Sequence, residues 1–219
     1  MLIKNQFKKS FHSWTWLILI VFLGAGIFYP PIGLIAIICM LAPPVGALFN
    51  GRTTCSWFCP RGSFLDVIVS KISCNKNIPS LFYNNIFRLI VFMTIMAVFL
   101  LQIIPVWGNI TGMGRVFITM IYITTFIGII LAAAFKPRTW CTFCPMGTMG
   151  NWVAKLRKNS YISINKDICS SCTACERICP MQFASYKYKD RDKIHFYDCL
   201  RCGKCEKKCP AKSIKLITE

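Results

Sequence analysis

Histidine is almost missing from this chain, and the shortage limits the cofactors it can bind. The 219 residues include two histidines, His12 and His195, and neither lies inside an apolar stretch. A haem held between membrane helices by two histidines is therefore excluded. No predicted strand is followed by G-x-G-x-x-G, so we expect no flavin or NAD site, and a nicotinamide donor would need another subunit.

Acidic residues are also scarce, and Asp66 is the only one before Asp167. Lysine and arginine number 26 against 8 acidic residues, which gives a formal net charge of +18. A strongly basic chain can bind nucleic acid, an anionic lipid surface or an acidic protein partner. Because 55% of the residues are hydrophobic, we expect a membrane protein and no nucleic acid. Membrane lipid and an acidic redox protein are the expected partners.

Long apolar runs occupy the first two thirds of the chain. A membrane helix needs ~20 mostly apolar residues. Four stretches approach or reach this length: Trp14–Phe28, Ile32–Leu48, Ile86–Val106 and Val116–Phe135. We therefore predict four transmembrane helices, with a tight outer turn at Pro30-Pro31 and a kink or break at Pro43-Pro44. A signal peptide is disfavoured, because no small-residue cleavage site follows the first stretch.

Basic residues predict how the helices are oriented. They are found near the amino terminus, between residues 51 and 88, and throughout the tail that follows the fourth stretch. The two remaining connections, at Pro30-Pro31 and at Trp107–Gly114, carry no charge. Because lysine and arginine stay on the cytoplasmic side, we expect both termini to be cytoplasmic. The expected location is the cytoplasmic membrane of a bacterium or an archaeon.

The last 51 residues contain two cysteine runs with the same spacing, C-x2-C-x2-C-x3-C-P. This spacing is typical of two-cluster ferredoxins, in which the fourth cysteine of each run binds the other [4Fe–4S] cluster. Cluster I is then held by Cys169, Cys172, Cys175 and Cys209. Cluster II is held by Cys199, Cys202, Cys205 and Cys179. The segment resembles the bacterial dicluster ferredoxin fold, with short strands expected near 161–164, 194–197 and 213–217. Structural zinc is the weaker alternative.

A second pair of cysteine motifs follows the second and fourth apolar stretches. Both read F-x-[GP]-R-T-x-C-x(2–3)-C-P-x-G, and we call them the C-P motifs; they hold Cys55 with Cys59 and Cys141 with Cys144. Their match predicts two parallel repeats, each with a helix pair, a motif and an amphipathic segment (67–72 and 152–158). Parallel repeats place both motifs on the cytoplasmic face.

Convergence of these four thiols would create a shared site near the repeat axis. One Fe–S cluster or a single iron would suit such a ligand set, with Fe–S preferred over zinc. The alternative is two reduced, metal-free pairs that only shape the turns. Asp66 lies beside this site and is a candidate proton acceptor or quinone ligand, or else a polar-face residue of an interfacial helix. Arg52 and Arg138 either stabilise a negatively charged site or anchor the membrane edge.

These C-P motifs, followed by the paired ferredoxin runs, make the whole chain resemble the NapH/NosR-type membrane ferredoxins. That resemblance implies a quinol dehydrogenase membrane component, which relays electrons between quinol and a redox partner. The chain departs from the family in its second motif, where two residues instead of three separate Cys141 from Cys144.

We therefore expect an α-helical membrane protein with a carboxy-terminal α+β dicluster ferredoxin domain. Its expected function is electron transfer between the quinone pool, or a membrane partner, and another redox protein. Two alternatives stay open: a metal-reducing assembly factor for a respiratory metalloenzyme, and an electron-input subunit for an extracytoplasmic flavoprotein. The expected units are a basic tail (1–12), a first helix pair (13–62), an interfacial loop (63–85), a second helix pair (86–147), an amphipathic linker (148–160) and the ferredoxin domain (161–219).

Overall fold

A helical membrane part is followed by a small α+β domain. The computed structural model describes residues 2–158 and 160–218, with side chains from 14 to 158 and from 160 to 217. The side chains of the predicted basic tail, residues 1–12, lie outside this description. The membrane part contains α1 (Leu2–Phe28), α2 (Ala36–Asn50), α3 (Thr53–Trp57), α4 (Pro60–Val67), α5 (Asn85–Ile103), α6 (Ile110–Ala134) and α7 (Pro145–Arg157).

Several helices have lipid-facing character. Among the described residues, three helical segments are long and apolar enough to cross a membrane: Pro30–Asn50, Asn85–Val106 and Ile110–Ala134. The apolar part of α1, Trp14–Phe28, is shorter. Large apolar side chains point outward from these helices, and Phe28 is 89% exposed. Apolar surface of this extent is stable only against lipid, so the chain is a membrane protein.

The prolines of the first helix pair behave differently from the prediction. Pro30 and Pro31 begin a 3₁₀ helix, Pro30–Ile35, that leads directly into α2. Of the kink or break predicted at Pro43-Pro44, the break is wrong, because α2 runs without interruption from Ala36 to Asn50, and the kink stays a prediction. Each proline removes one backbone donor, but α2 packs against α7, where Gly150 lies near the Pro43 carbonyl and Ala47.

Four helices begin where local sequence favours a start. The Asn84 and Asn109 side chains accept hydrogen bonds from the first backbone N–H groups of α5 and α6. Pro60 and Pro145 occupy the first turn of α4 and α7, where a missing N–H has no consequence. The amphipathic segments predicted at 67–72 and 152–158 were therefore placed too late, since both helices begin at the motif prolines.

The carboxy-terminal domain is built on a two-stranded antiparallel sheet. Strand β1 (Ser160–Ile164) pairs with β2 (Ile214–Thr218), with Ile162 opposite Leu216. The domain also contains the short helices α8 (Ala174–Ile178) and α9 (Lys204–Lys208). The strand predicted at 194–197 is reduced to one bridge between Ile194 and Ile162. Short 3₁₀ turns complete the chain at Val69–Lys71, Ser80–Tyr83, Ile104–Val106, Thr139–Thr142 and Ser185–Tyr188.

Candidate metal centres

The two ferredoxin runs follow the same backbone path. In each run the residue before the second cysteine and the residue after it are left-handed: Ser171 and Thr173 in the first, Arg201 and Gly203 in the second. These turns fold the chain around a concavity and direct backbone N–H groups toward it. The Arg201 N–H donates to Cys199 Sγ over 3.4 Å in this way. Each short helix then ends at the fourth cysteine, Cys179 or Cys209.

The eight cysteines of the runs line two small cavities. Cys169, Cys172, Cys175 and Cys209 line one of them. Cys179, Cys199, Cys202 and Cys205 line the other, where Cys175 also reaches the wall. Each cavity thus receives three cysteines from one run and the fourth from the other run. The residues fit [4Fe–4S] clusters, because each cavity offers four sulfurs in apolar surroundings.

Burial sets the protonation of these thiols in the metal-free chain. Burial and neighbouring thiols raise the pKa of Cys205 to about 12, and burial raises that of Cys199 to about 12 as well. At Cys209 burial acts in the same direction, but hydrogen bonds from Ser213 and from backbone N–H groups bring the net pKa below its ordinary value. Cluster binding must therefore displace protons from the buried thiols.

The four cysteines of the C-P motifs line one larger cavity of about 250 Å³. Cys55 and Cys141 are buried, whereas Cys59 and Cys144 are half-buried. The cavity extends between the membrane helices, where its walls are apolar. Among the described residues, no three histidine, cysteine or acidic side chains converge closely enough to hold a single ion. A cubane holds its thiolates farther apart than a single ion does, so the open four-sulfur rim fits a cluster better than one iron or zinc.

The arginine of each C-P motif donates a hydrogen bond to the backbone carbonyl of the first cysteine in the other motif. Arg138 Nη1 donates to the carbonyl oxygen of Cys55 over 2.8 Å, and Arg52 Nη2 donates to that of Cys141 over 2.7 Å. Both arginines are about 1% exposed. This exchange ties the two halves of the membrane part together at the rim of the cavity. It also puts two positive charges beside the sulfurs, as the electrostatic interpretation of these arginines predicts.

The motif glycines make room for the same arginines. A side-chain carbon at Gly62 would collide with the guanidinium of Arg138, and one at Gly147 would collide with that of Arg52. Each motif therefore ends in glycine because the arginine of the other motif occupies the space where a side chain would lie. The sequence displays these glycines but not the contact that requires them.

Asp66 lies close to the C-P motifs, in an ion pair. Its two carboxylate oxygens accept from Arg138 Nε at 3.0 Å and from Arg138 Nη2 at 2.9 Å. Arg138 Nη1 lies 3.9 Å from Cys141 Sγ, so Asp66 orients a charge next to that sulfur. Its suggested role as a proton acceptor stays a prediction.

Sequence reasoning missed Asp198, which connects the ferredoxin domain to the membrane part. Its Oδ1 accepts from Arg52 Nη1 at 2.9 Å, from Arg88 Nη1 at 3.0 Å and from Asn151 Nδ2 at 2.7 Å. Its Oδ2 accepts from Arg88 Nη2 at 2.8 Å. Asn151 aligns with Asp66 in the motif register, so the second motif lacks an acid of its own, and Asp198 supplies one. The asparagine in place of an acid at position 151 was the sequence signal that an acidic partner for Arg52 comes from elsewhere in the chain.

Cysteines of the C-P motifs and of the second ferredoxin cavity share a packed cluster. Cys55 and Cys141 pack with Met181 and Leu200, and Cys179 lies against the same group. The loop before α5 secures this contact, since Tyr83 Oη donates to the Met181 carbonyl over 3.0 Å. The cavity of Cys179, Cys199, Cys202 and Cys205 is thus the one that faces the membrane part.

Comparison with known proteins identifies both kinds of cysteine motif. A family model described as a 4Fe-4S binding domain matches twice, over residues 32–79 and 118–163. Each match includes one C-P motif. A second model, described as a 4Fe-4S dicluster domain, matches residues 168–214 and includes both ferredoxin runs. The chain thus carries ferredoxin-type [4Fe–4S] domains, and its role is iron–sulfur electron transfer.

Similar proteins come from archaea. Two uncharacterized proteins of Methanocaldococcus jannaschii are each 26% identical to this chain; the alignments cover 80% and 74% of the chain and 68% and 70% of the relatives. A ferredoxin of Pyrobaculum islandicum is 31% identical over 67 residues, which is 31% of this chain and 63% of that protein. No solved structure matches the chain.

Proposed function

We propose that this protein relays electrons between the membrane quinone pool and another redox protein. The observation that carries the proposal is the 250 Å³ cavity, which opens among the apolar helices and ends at the four C-P motif cysteines. A prenylated quinone is an apolar membrane molecule that exchanges electrons, and this cavity offers it a place beside sulfur ligands. In this proposal Cys55, Cys59, Cys141 and Cys144 hold a third cluster, which the 4Fe-4S domain matches over both motifs support.

The packing of the cysteines supports one order for the relay. The third cluster is adjacent to cluster II, because Cys55 and Cys141 share a packed group with Cys179. Cluster I lies farther from the membrane part and includes the exposed Cys172. Electrons then pass between quinone, third cluster, cluster II, cluster I and the partner, in either direction.

The residues around the clusters have separable tasks. When bound, the clusters supply one-electron transfer. Arg52 and Arg138 place positive charge beside cysteines whose cluster is negative, which favours holding an added electron. Met181 and Leu200 are buried between the two centres and keep water out of the contact. Conversion of one quinone to a quinol consumes two electrons, delivered singly by the clusters, and two protons from water.

Cluster I is the proposed docking side for the partner. Basic side chains surround it: Lys189 donates to Ser171 Oγ over 3.2 Å, and Arg177 donates to Thr173 within the same run. An acidic redox protein fits this charge. In the proposed arrangement the chain crosses the cytoplasmic membrane four times as two parallel repeats, and both termini and all three clusters are cytoplasmic.

Iron content and electron exchange with a quinone test the proposal. We expect the purified protein to contain about twelve irons per chain, four for each of three clusters. Cys141→Ser lowers this to about eight, whereas the matched change Cys74→Ser, at an exposed thiol, leaves it unchanged. Duroquinone oxidises the dithionite-reduced wild type, which is followed by EPR. About eight irons in both wild type and Cys141→Ser would rule out the third cluster.

A further inference from the structure

Arg61 places a positive charge in the wall of the apolar cavity. Arg61, the second residue of α4, lines this cavity, and its Nη2 donates to Thr124 Oγ1 over 2.9 Å. Thr124 lies ten residues before the end of α6 at Ala134, or about 15 Å along the helix axis. The guanidinium is thus directed toward the middle of a membrane-spanning segment.

This placement needs a functional reason, since charged side chains at membrane depth are costly and mark ligand or ion sites. The ion pairs of Arg52, Arg88 and Arg138 have carboxylate partners. Among the described residues, Arg61 has no carboxylate partner, and none of the described cavity-lining residues is acidic. Its polar contact is a neutral hydroxyl, and the Trp140 ring lies 5.9 Å away. Guanidinium donors therefore remain for an oxygen-bearing ligand.

Thr124 fixes the direction of Arg61 without neutralising it. The threonine hydroxyl donates to the carbonyl oxygen of Met120 over 2.7 Å, so its lone pair is available to accept from Arg61. One edge of the guanidinium is thereby held against α6. A positioned donor of this kind selects a ligand oxygen by geometry as well as charge.

The structure assigns to Arg61 and Thr124 the polar end of a quinone headgroup site, in which Arg61 donates to one ring carbonyl oxygen. This assignment rests on the proposed function. The cavity volume, about 250 Å³, is close to the lower end of small-molecule sites, which begin near 300 Å³. It fits a ring headgroup, with the prenyl tail leaving between the helices. A phospholipid fits less well, because its phosphate stays at the bilayer surface.

A neutralising role toward the third cluster is the competing explanation, and it predicts different effects. Arg52 and Arg138 already contact the C-P motif backbone and lie beside its sulfurs. If Arg61 served the cluster, its removal would change iron content or the EPR spectrum. If Arg61 binds quinone, its removal changes only quinone binding and the concentration dependence of electron exchange.

The test uses Arg61→Gln, Arg61→Lys and the matched control Arg115→Gln, at an exposed arginine near the start of α6. Duroquinone binding is measured by quenching of tryptophan fluorescence, and the rate at which it oxidises the dithionite-reduced protein is measured separately. For Arg61→Gln we expect a loss of about tenfold or more in affinity and a matching rise in the half-saturating concentration, from the lost charge-assisted hydrogen bond. The affinity of Arg61→Lys lies between those of the wild type and Arg61→Gln. Iron content and the EPR spectrum of both variants stay as in the wild type.

Equal affinities for Arg61→Gln and Arg115→Gln would overturn the assignment. Loss of about four irons in Arg61→Gln would also overturn it, in favour of the cluster role. If wild type binds duroquinone in an Arg61-dependent way but its reduced clusters are not oxidised, the site stands and the proposed relay fails. If electron exchange occurs but is insensitive to Arg61, the relay stands and the site fails.

Discussion

At the residue scale, buried arginines position the first cysteine of each C-P motif. Arg52 and Arg138 each reach across to the opposite C-P motif, and each needs an anion because it is almost fully buried. Asp66 serves Arg138 from within the membrane part, and Asp198 serves Arg52 from the ferredoxin domain. The second pair links the two parts through a carboxylate that precedes Cys199 in the chain.

Asp198→Asn is therefore expected to lower the stability of the protein and to raise the reduction potential of cluster II. It leaves Arg52 and Arg88 buried without a counter-charge, which costs about 3 kcal/mol of stability. Loss of a negative charge beside Cys199 raises the reduction potential of cluster II. Thermal unfolding in detergent and an EPR-monitored redox titration measure the two effects. Asp190→Asn is the control, since its pair with Lys166 is exposed; identical behaviour of the two variants would contradict this account.

Gly62→Ala tests the space that the motif glycines provide. The added methyl group would push against the Arg138 guanidinium. This guanidinium cannot move away easily, because it donates hydrogen bonds to Asp66 and to the Cys55 carbonyl oxygen. We expect a loss of about 1–3 kcal/mol in stability and reduced iron at the C-P motifs. Gly24→Ala in α1 meets no atom within 4 Å and serves as the control. A Gly62→Ala protein with full iron and normal stability would remove the steric argument.

At the element scale, the two ferredoxin runs are folded into each other. Helix α8 ends at Cys179, which turns away from its own run and lines the cavity of the second run; α9 does the same in reverse with Cys209. Each cavity is complete only when both runs are folded. The two runs with their short helices therefore form one cooperative unit.

Paired cysteine variants reveal this exchange of ligands. Cys179→Ser is expected to remove one cluster, about four irons. Adding Cys199→Ser removes no more, because both residues serve cluster II, whereas adding Cys169→Ser removes about four more. Iron and sulfide analysis of the purified variants measures the difference. If Cys179→Ser combined with Cys169→Ser lost only one cluster, each run would bind its own.

Local sequence predicted some of these elements better than others. Strands near 161–164 and 213–217 were expected from the resemblance to the dicluster ferredoxin fold, and β1 and β2 lie there. The strand expected at 194–197 on the same ground is reduced to one bridge, because strand pairing depends on tertiary neighbours as well as local preference. Pro43 and Pro44 suggested a kink or break, but α2 continues through both prolines and packs against α7. Motif alignment grouped the four C-P cysteines, and all four line one cavity, but their role as shared ligands stays a prediction. Asp198 is 146 residues from Arg52, and no local pattern shows that contact.

At the scale of the whole molecule, the proposed relay is a line of sites from lipid to solvent. The apolar cavity lies within the membrane part, its cysteine rim contacts the Cys179 group, and the cavity of Cys169 and Cys172 lies beyond. Because electron transfer weakens steeply with distance, adjacent centres exchange electrons and distant ones do not. The proposed order is therefore testable by removing one cluster at a time.

Removal of the third cluster at the C-P motifs should prevent electron exchange between the ferredoxin clusters and quinone. In Cys141→Ser, dithionite still reduces clusters I and II, but their oxidation by duroquinone slows strongly because the centre beside the cavity is gone. In Cys172→Ser, which disrupts cluster I, duroquinone oxidises cluster II at the wild-type rate, whereas transfer to an added acidic redox protein stops. Freeze-quench EPR follows each cluster in both variants. Rapid oxidation of clusters I and II in Cys141→Ser would mean that quinone reaches them directly from solution, and the membrane cavity would then have no part in the relay.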